Sequence, residues 1–399
     1  MGKAYARTYQ GAFKIGMNFI PWRMPEKIEG AGKIKELPKF LKDQGVNKVL
    51  VVTDKVLNQD LHMLDSMYEA AKKCNLECIV YDGVKPNPTD TSIEEGLKLY
   101  KDNNCEGIIA FGGGSPMDCA KVIGARVVKP NKSVKKMKGL FKVLHKLPPF
   151  VAVPTTAGTG SETTIAAVIT LEADHHKVTI NDISLMPKWA VFDPELTVGL
   201  PPHITSTTGM DALCHAVECY TNKTYNSKLE DKLSKDAVKL INDNLYKCYS
   251  DGENIKARQN MQLAAFYAGR AFTRGCVGYV HAVGHTLSGL YGVPHGLTMS
   301  VILPHVMRQF GSAVHKRLAE LADVIGIEGR TDKQKSDNFI KWIDELNAKM
   351  DIPNKIEGIK DKDIDQIVEW ASAEANPLYP TPVYWGPEDF KKLIASIRA

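Results

Sequence analysis

The stretch IIAFGGGSPMDCAK, Ile108 to Lys121, decides how the first half of the chain is read. Four apolar residues run into three consecutive glycines, and Ser115-Pro116 then opens a segment suited to a helix. Ser115 fits the N-cap, Pro116 the first helical position, and Asp118 the first turn, where the helix dipole favours an acid. The segment therefore predicts a strand, a glycine turn and a helix. Glycines let the backbone approach a ligand closely and leave N–H groups aimed at an anion, so a pyrophosphate fits at this helix start. A bare strand-to-helix turn is the alternative, although one glycine would suffice for it. The pattern is neither GxGxxG nor GxxxxGK[ST].

Apolar runs that end in turn residues recur around this segment: Val46 to Asp54, Leu76 to Gly83, Cys105 to Gly112, Phe150 to Pro154 and Trp189 to Pro194. Amphipathic stretches lie between them, as at Leu61 to Lys73 and Ser92 to Asn103. Continuous apolar strands alternating with helices predict an α/β unit around a parallel sheet. After Leu200-Pro201-Pro202 the apolar residues recur three and four apart, over Met210 to Tyr220, Leu229 to Tyr249, Ile255 to Phe272, Val314 to Ile325 and Phe339 to Met350. That spacing predicts helices. A chain of 399 residues exceeds the usual size of one domain, so the reading is two packed domains, 1–199 α/β and 200–399 all-helical.

Composition narrows the partners. The chain is 44% hydrophobic and 24% charged, with a net charge of +5 and its Lys and Arg scattered. The densest basic run, Lys132 to Lys138, reads as a solvated loop, and nothing argues for a nucleic acid or a membrane as partner. The eight cysteines form no CxxC pair and several sit in apolar contexts, which suits reduced core thiols. The start, MGKAYARTYQGAFKIGMNF, lacks the apolar run of a signal peptide, and no segment reaches the roughly 18 apolar residues of a membrane helix. A cytoplasmic location is expected.

Two further stretches support a nucleotide site. Pro154-Thr155-Thr156-Ala157-Gly158-Thr159-Gly160-Ser161-Glu162 follows an apolar strand and is crowded with hydroxyls and glycines, as a second wall around phosphates or ribose would be. Asp54 ends an apolar strand, where an acid accepts hydrogen bonds from an adenosine ribose and repels a 2′-phosphate. NAD is expected rather than NADP.

Of the eleven histidines, three fall within YVHAVGHTLSGLYGVPHG, Tyr279 to Gly296. His281 and His285 share a helix face, and His295 follows a Gly-Val-Pro break. A second segment, Gly209 to Glu218, places Asp211 and His215 on one face of a helix that is otherwise apolar. A lone buried Asp or His is usually a hydrogen-bonded core residue. Together, however, the five offer more than the four or so donors a transition metal needs. A carboxylate with several imidazoles suits Fe²⁺ or Zn²⁺ and disfavours Mg²⁺ or Ca²⁺. Spacing leaves open which histidine is not a ligand, which metal binds, and whether the site is a structural zinc site without chemistry. A zinc peptidase is disfavoured, since Ala282 stands where Glu would follow the first His.

These ordered motifs, from VLVVTD at 49–54 through Pro86-Asn87-Pro88-Thr89, GGGSPMDCAK, PTTAGTGSE and GMDALCHAVE to GYVHAVGHTLSGLYGVPHG, cover nearly the whole chain. They resemble the iron-containing (group III) alcohol dehydrogenase family, which includes butanol and 1,3-propanediol dehydrogenases and lactaldehyde reductases. The resemblance implies an α/β N-terminal dinucleotide-binding domain of the dehydroquinate-synthase-like type, plus an all-α C-terminal metal-binding domain. It implies metal ligands at Asp211, His215, His281 and His295, with His285 beside the metal as a non-ligand that touches substrate or nicotinamide. It implies nucleotide contacts at Asp54, Asn87, Gly113, Gly114, Ser115, Asp118, Thr155, Thr156, Thr159 and Lys177, the last within Asp174-His175-His176-Lys177. In the substrate pocket, Ala166 stands where lactaldehyde-reducing relatives have a polar Asn, and Phe272 keeps an aromatic wall. A small apolar residue there argues for plain aliphatic aldehydes.

The expected activity is reversible hydride transfer between NAD(H) and a small primary alcohol or aldehyde of the ethanol, butanol or 1,3-propanediol type, with Fe²⁺ or alternatively Zn²⁺, and with His285 relaying the proton. A homodimer or larger homo-oligomer is expected from the resemblance. The competing readings are a glycerol-type zinc polyol dehydrogenase, a dehydroquinate-synthase-like lyase, and a non-enzymatic nucleotide-binding scaffold.

Overall fold

The computed structural model describes residues 2–173 and 176–399. The chain divides into two compact units, one of Trp22–Gly199 and one joining Leu200–Ala399 to the residues up to Pro21. The chain enters the second unit first, as helix α1 (Lys3–Met17). Arg7 donates to the carbonyl of Thr381 at 2.8 Å, and the Gln10 amide donates to the carbonyls of Pro377 and Tyr379, both at 2.9 Å. Phe13 meets the Tyr225 ring edge-on at 5.4 Å. The segment read from sequence as the start of a 1–199 domain thus has its partners in the helical unit, which apolar runs along the chain cannot reveal.

The α/β unit contains strands β1 (Glu26–Glu29), β2 (Lys48–Val52), β3 (Glu77–Tyr81), β4 (Gly107–Gly112), β5 (Gly139–Leu140), β6 (Phe150–Pro154), β7 (Ala166–Leu171), β8 (His176–Asn181) and β9 (Trp189–Phe192). Its helices are α2 (Leu37–Asp43), α3 (Asp65–Lys73), α4 (Asp90–Asp102), α5 (Gly114–Val128) and the single turns α6 (Val134–Met137) and α7 (Glu195–Val198). The main sheet has the order β1-β9-β6-β4-β2-β3 and is parallel throughout. Its central strands are apolar from Val49 to Val52, from Gly107 to Gly112 and from Phe150 to Pro154 because both faces are covered. Leu50, Val52, Ile108 and Ala110 belong to a core shared with α4 and α5, while Val49, Val51, Ile109 and Phe111 belong to one shared with α2 and α3. A smaller sheet, β5-β8-β7, is formed around the antiparallel pair β7 and β8.

The second unit continues with α8 (Pro202–Asn222), α9 (Lys228–Ser250), α10 (Ile255–Gly275), α11 (Tyr279–Tyr291), α12 (His295–Phe310), α13 (His315–Val324), α14 (Asp332–Lys349), α15 (Ile364–Ala375) and α16 (Pro387–Ile397). Every residue of α8 from Gly209 to Asn222 is buried. A polar side chain on that stretch needs a partner, or a ligand, to offset its desolvation. Where α12 starts, a Cβ on Gly296 would stand 2.5 Å from the carbonyl oxygen of Thr207, so only glycine lets α12 lie this close to α8. Among the described residues no helix is long and apolar enough to cross a membrane. All eight cysteines are free thiols.

Candidate functional site

In the α/β unit the strands β3-β2-β4-β6-β9 run in the order 2-1-3-4-5 when counted from β2, with β1 added at the far edge. Chain direction across the sheet reverses between β2 and β4, and in such sheets ligands bind beyond the carboxyl ends of the strands at that point. Asp54 lies two residues beyond β2, and Gly113 to Ser115 follow β4 directly. Gly112 makes the turn at φ +143°, where a Cβ would stand 2.6 Å from Pro116 Cγ, so a side chain is excluded.

The helix after the turn starts two residues earlier than the sequence predicts. Gly113, in extended conformation, is the N-cap of α5, and Ser115 is not. The Ser115 hydroxyl instead accepts from the backbone N–H of Asn87 at 3.3 Å, tying the exposed Asn87 loop to the helix start. The threonine loop after β6 forms the neighbouring wall. Thr155 donates its N–H to the Gly112 carbonyl at 3.1 Å, while Thr156 and Thr159 lie within 3.3 Å and 3.1 Å of where Cβ atoms would stand on Gly113 and Gly114.

Other predicted contacts already have protein partners. Asp54 Oδ1 accepts from the Leu57 N–H at 3.0 Å. Asp118 accepts from the Ser161 hydroxyl at 2.8 Å and from the Val168 N–H at 2.9 Å, so it fastens the threonine loop and β7 to α5. Lys177 sits in β8 opposite Thr170, and Ala166 opens β7 opposite Asn181. Asp174 and His175, quoted with Lys177 above, lie outside the described residues. One residue of the glycine motif has a role the sequence reading did not assign. Lys121 is fully buried, donating to the hydroxyls of Ser161 and Thr164 and to the Ala166 carbonyl, each at 2.8 Å. Burial holds its ammonium down to about 8 and pushes the Glu162 carboxyl on the same loop up to about 7.

In the helical unit the five candidate donors gather on three helices. Asp211 and His215 lie on α8, His281 and His285 on α11, and His295 opens α12. Asp211 Oδ1 is 3.4 Å from His295 Nε2, 3.7 Å from His281 Nε2 and 3.9 Å from His215 Nε2. Asp211, His281 and His295 each offer one ligand atom, all within 4.8 Å of one another. Among the described residues, Asp211 Oδ1, His281 Nε2 and His215 Nδ1 are buried without a hydrogen-bond partner. The orphaned Asp211 Oδ1 and His281 Nε2, 3.7 Å apart, fit a cation held by one carboxylate and several imidazoles, whereas the orphaned nitrogen of His215 is Nδ1 and not the Nε2 that faces Asp211. His215 is sandwiched, its ring stacked on Phe272 at 4.2 Å and on His281 at 4.5 Å. His285 stacks on His295 at 5.1 Å but points Nδ1 away, to Glu374 Oε1 at 2.7 Å.

The electrostatics follow from burial. Burial lowers His215 to about 3 and also lowers His295, which keeps both imidazoles neutral and able to coordinate. Burial opposes ionisation of Asp211 too, but the surrounding imidazoles outweigh it and hold the carboxyl well below its usual range. At His281 the desolvation is overcome by the Glu218 and Asp211 carboxylates, which leave it at about 9.

Glu218 was in plain view and unassigned. It follows Asp211 by seven residues and His215 by three, on the same buried face of α8, and accepts from His281 Nδ1 at 2.5 Å and from the Val280 N–H at 2.8 Å. A carboxylate on the distal nitrogen of a ligating imidazole fixes its tautomer and raises its basicity. The spacing that picks out Asp211 and His215 also picks out Glu218. Glu374 and Tyr379, by contrast, carry no local signal, lying 89 and 94 residues from His285.

Known proteins are similar to this chain in sequence and fold. Residues 25–194 match the family described as iron-containing alcohol dehydrogenase, and residues 205–397 match the C-terminal domain of the Fe-containing alcohol dehydrogenase family. The NAD-dependent methanol dehydrogenase of Bacillus methanolicus is 35% identical over 371 residues, 91% of this chain and 96% of its own. The 1,3-propanediol dehydrogenase of Citrobacter freundii is 36% identical over 352 residues, 87% and 90% of the two chains. The solved alcohol dehydrogenase of Oenococcus oeni superposes with a TM-score of 0.90 at 33% identity, covering 94% of this chain and 99% of that one. The chain belongs to the iron-containing alcohol dehydrogenase family. It is an oxidoreductase of the alcohol dehydrogenase class, as the resemblance of its motifs implied.

Proposed function

We propose that this dehydrogenase interconverts a small primary alcohol and its aldehyde with NAD(H), using Fe²⁺ held by Asp211, His215, His281 and His295. The observation that carries this reading is the convergence of three imidazoles on the unpaired Asp211 Oδ1. When bound, divalent iron supplies Lewis acidity that acidifies an alcohol or polarises an aldehyde, and a nicotinamide supplies the hydride exchange. The protein does the rest. His285 takes up the hydroxyl proton of the alcohol, and returns it in the reducing direction. Backbone N–H groups at Gly113, Gly114 and Ser115 bind the pyrophosphate, and Asp54 accepts from the adenosine ribose and repels a 2′-phosphate. Asn87, Thr155, Thr156, Thr159 and Lys177 contact the remainder of the dinucleotide, and Asp118 acts by fastening the threonine loop. Ala166 and Phe272 present apolar surface to the alkyl chain of the substrate. The names of two relatives, a methanol and a 1,3-propanediol dehydrogenase, support a C1 to C3 alcohol, and the first of them supports NAD.

The eight free thiols support a cytoplasmic location, and we infer a homodimer or larger homo-oligomer. The test is anaerobic reconstitution of metal-free protein with Fe²⁺ or Zn²⁺, followed by oxidation of NADH and NADPH with acetaldehyde, butyraldehyde, 3-hydroxypropionaldehyde and lactaldehyde. Fe²⁺-dependent NADH turnover on a simple aldehyde is expected. Zinc-dependent polyol oxidation, or a preference for NADPH, overturns the proposal.

A further inference from the structure

Two imidazoles of the cluster carry a carboxylate on Nδ1. His281, a proposed ligand, meets Glu218, whereas His285, the proposed proton carrier, meets Glu374 in the last turn of α15. Glu374 is itself held. Its Oε1 accepts from His285 Nδ1 at 2.7 Å and also from the Tyr379 hydroxyl at 3.0 Å, and the Tyr379 N–H donates to the Ala375 carbonyl at 2.7 Å.

We propose that Glu374, held by Tyr379, is a positioning residue that fixes His285 as the Nδ1–H tautomer and so leaves Nε2 as the proton-accepting atom. The inference rests on the role given to His285 above. A carboxylate oxygen only accepts, so the nitrogen facing it carries hydrogen, and a neutral imidazole protonated there presents a lone pair at the other nitrogen. Burial and then Glu374 hold the Tyr379 hydroxyl well above its ordinary pKa, so it stays a donor throughout the working pH range. With both hydrogens committed to one oxygen, the ring cannot flip without breaking the Glu374 contact.

The experiment combines two readouts on full-length protein. In the zinc-loaded enzyme labelled with ¹⁵N-histidine, long-range ¹H–¹⁵N spectra are recorded, the His285 signals being identified by their loss in His285→Gln. Wild type is expected as Nδ1–H, and Glu374→Leu with a mixture of tautomers. In iron-loaded enzyme, Glu374→Leu is expected to lower kcat by about 10–100-fold, the usual effect of removing such a support, with metal content unchanged and alcohol KM within about twofold. Glu374→Gln keeps an accepting oxygen for both donors and is expected to recover most of the loss. An Nε2–H tautomer in wild type, or full kcat in Glu374→Leu at full metal occupancy, overturns the proposal. If wild type oxidises no alcohol, the functional reading has failed and the tautomer alone decides the role of Glu374.

Discussion

In the α/β unit the groups offered to a ligand are backbone N–H donors and small hydroxyls on the loops after β4 and β6, whereas in the helical unit they are side-chain donors on α8, α11 and α12, buried at Asp211, His215 and His281 and partly exposed at His285 and His295. The first site depends on a backbone path, set by the positive φ of Gly112 and by the absence of side chains at Gly113 and Gly114. The second depends on residue identity, on unpaired buried atoms and on carboxylates behind the imidazoles. Hence the first should respond to added bulk and the second to lost donors, each without disturbing the other.

His281→Ala gives the largest expected effect. Loss of the Lewis acid removes several kcal/mol of transition-state stabilisation, so kcat/KM should fall about 10³-fold or more together with metal content. NADH binding followed by fluorescence should be unchanged, and a metal-free variant that retains activity breaks the assignment. Next comes Lys121→Met, which strips three acceptors of their buried donor. Lys121 titrates at about 8 when folded, below its ordinary 10.5. Between these values the unfolded chain holds a proton that the folded chain has lost, so wild-type stability rises with pH, by up to about 3 kcal/mol. Urea unfolding at pH 7.5 and 10 should show wild type gaining on the variant, and parallel behaviour breaks the reading.

Gly114→Val has a smaller expected effect, because a Cβ there stands 3.1 Å from Thr159 Cγ2 and narrows the loop rather than removing a donor. The Kd for NADH should rise about 10–100-fold, or about 1.4–2.7 kcal/mol, with metal content unaffected. Asp54→Ala sharpens the comparison further, as the nucleotide site's one proposed side-chain discriminator. Its preference for NADH over NADPH should fall about tenfold, some 1.4 kcal/mol, read from the ratio of kcat/KM values.

How much of this was legible depended on whether the signal was local. The central strands were read almost to the residue, because burial on both faces writes a continuous apolar run. Glu26–Glu29 escaped, since its polar EKIE sequence has only Ile28 half-buried and pairs on one side with β9. The β7 strand was missed because AAVITL alternates in burial but not in polarity. Four of the five metal-site candidates were found because helical periodicity brings i and i+4 together, and His295 because it lies close in sequence to His281 and His285; the same periodicity would have yielded Glu218. Lys121 was masked by the expectation that lysines are solvated. Glu374 belongs to a helix remote in sequence, and only tertiary packing brings it to His285.

Helix α1 has a consequence for how the molecule assembles. Its long-range hydrogen bonds span 367 to 375 residues, among the longest sequence separations in the chain. Contacts of that separation form late, because a long loop must close before they repay its entropy. During synthesis α1 leaves the ribosome ahead of the elements that follow it yet waits for residues near 377–382, while Trp22–Gly199, which interrupts its unit, already holds every strand of its sheet. The interrupted unit, which holds the proposed metal ligands, should therefore be the last part of the newborn chain to resist proteolysis.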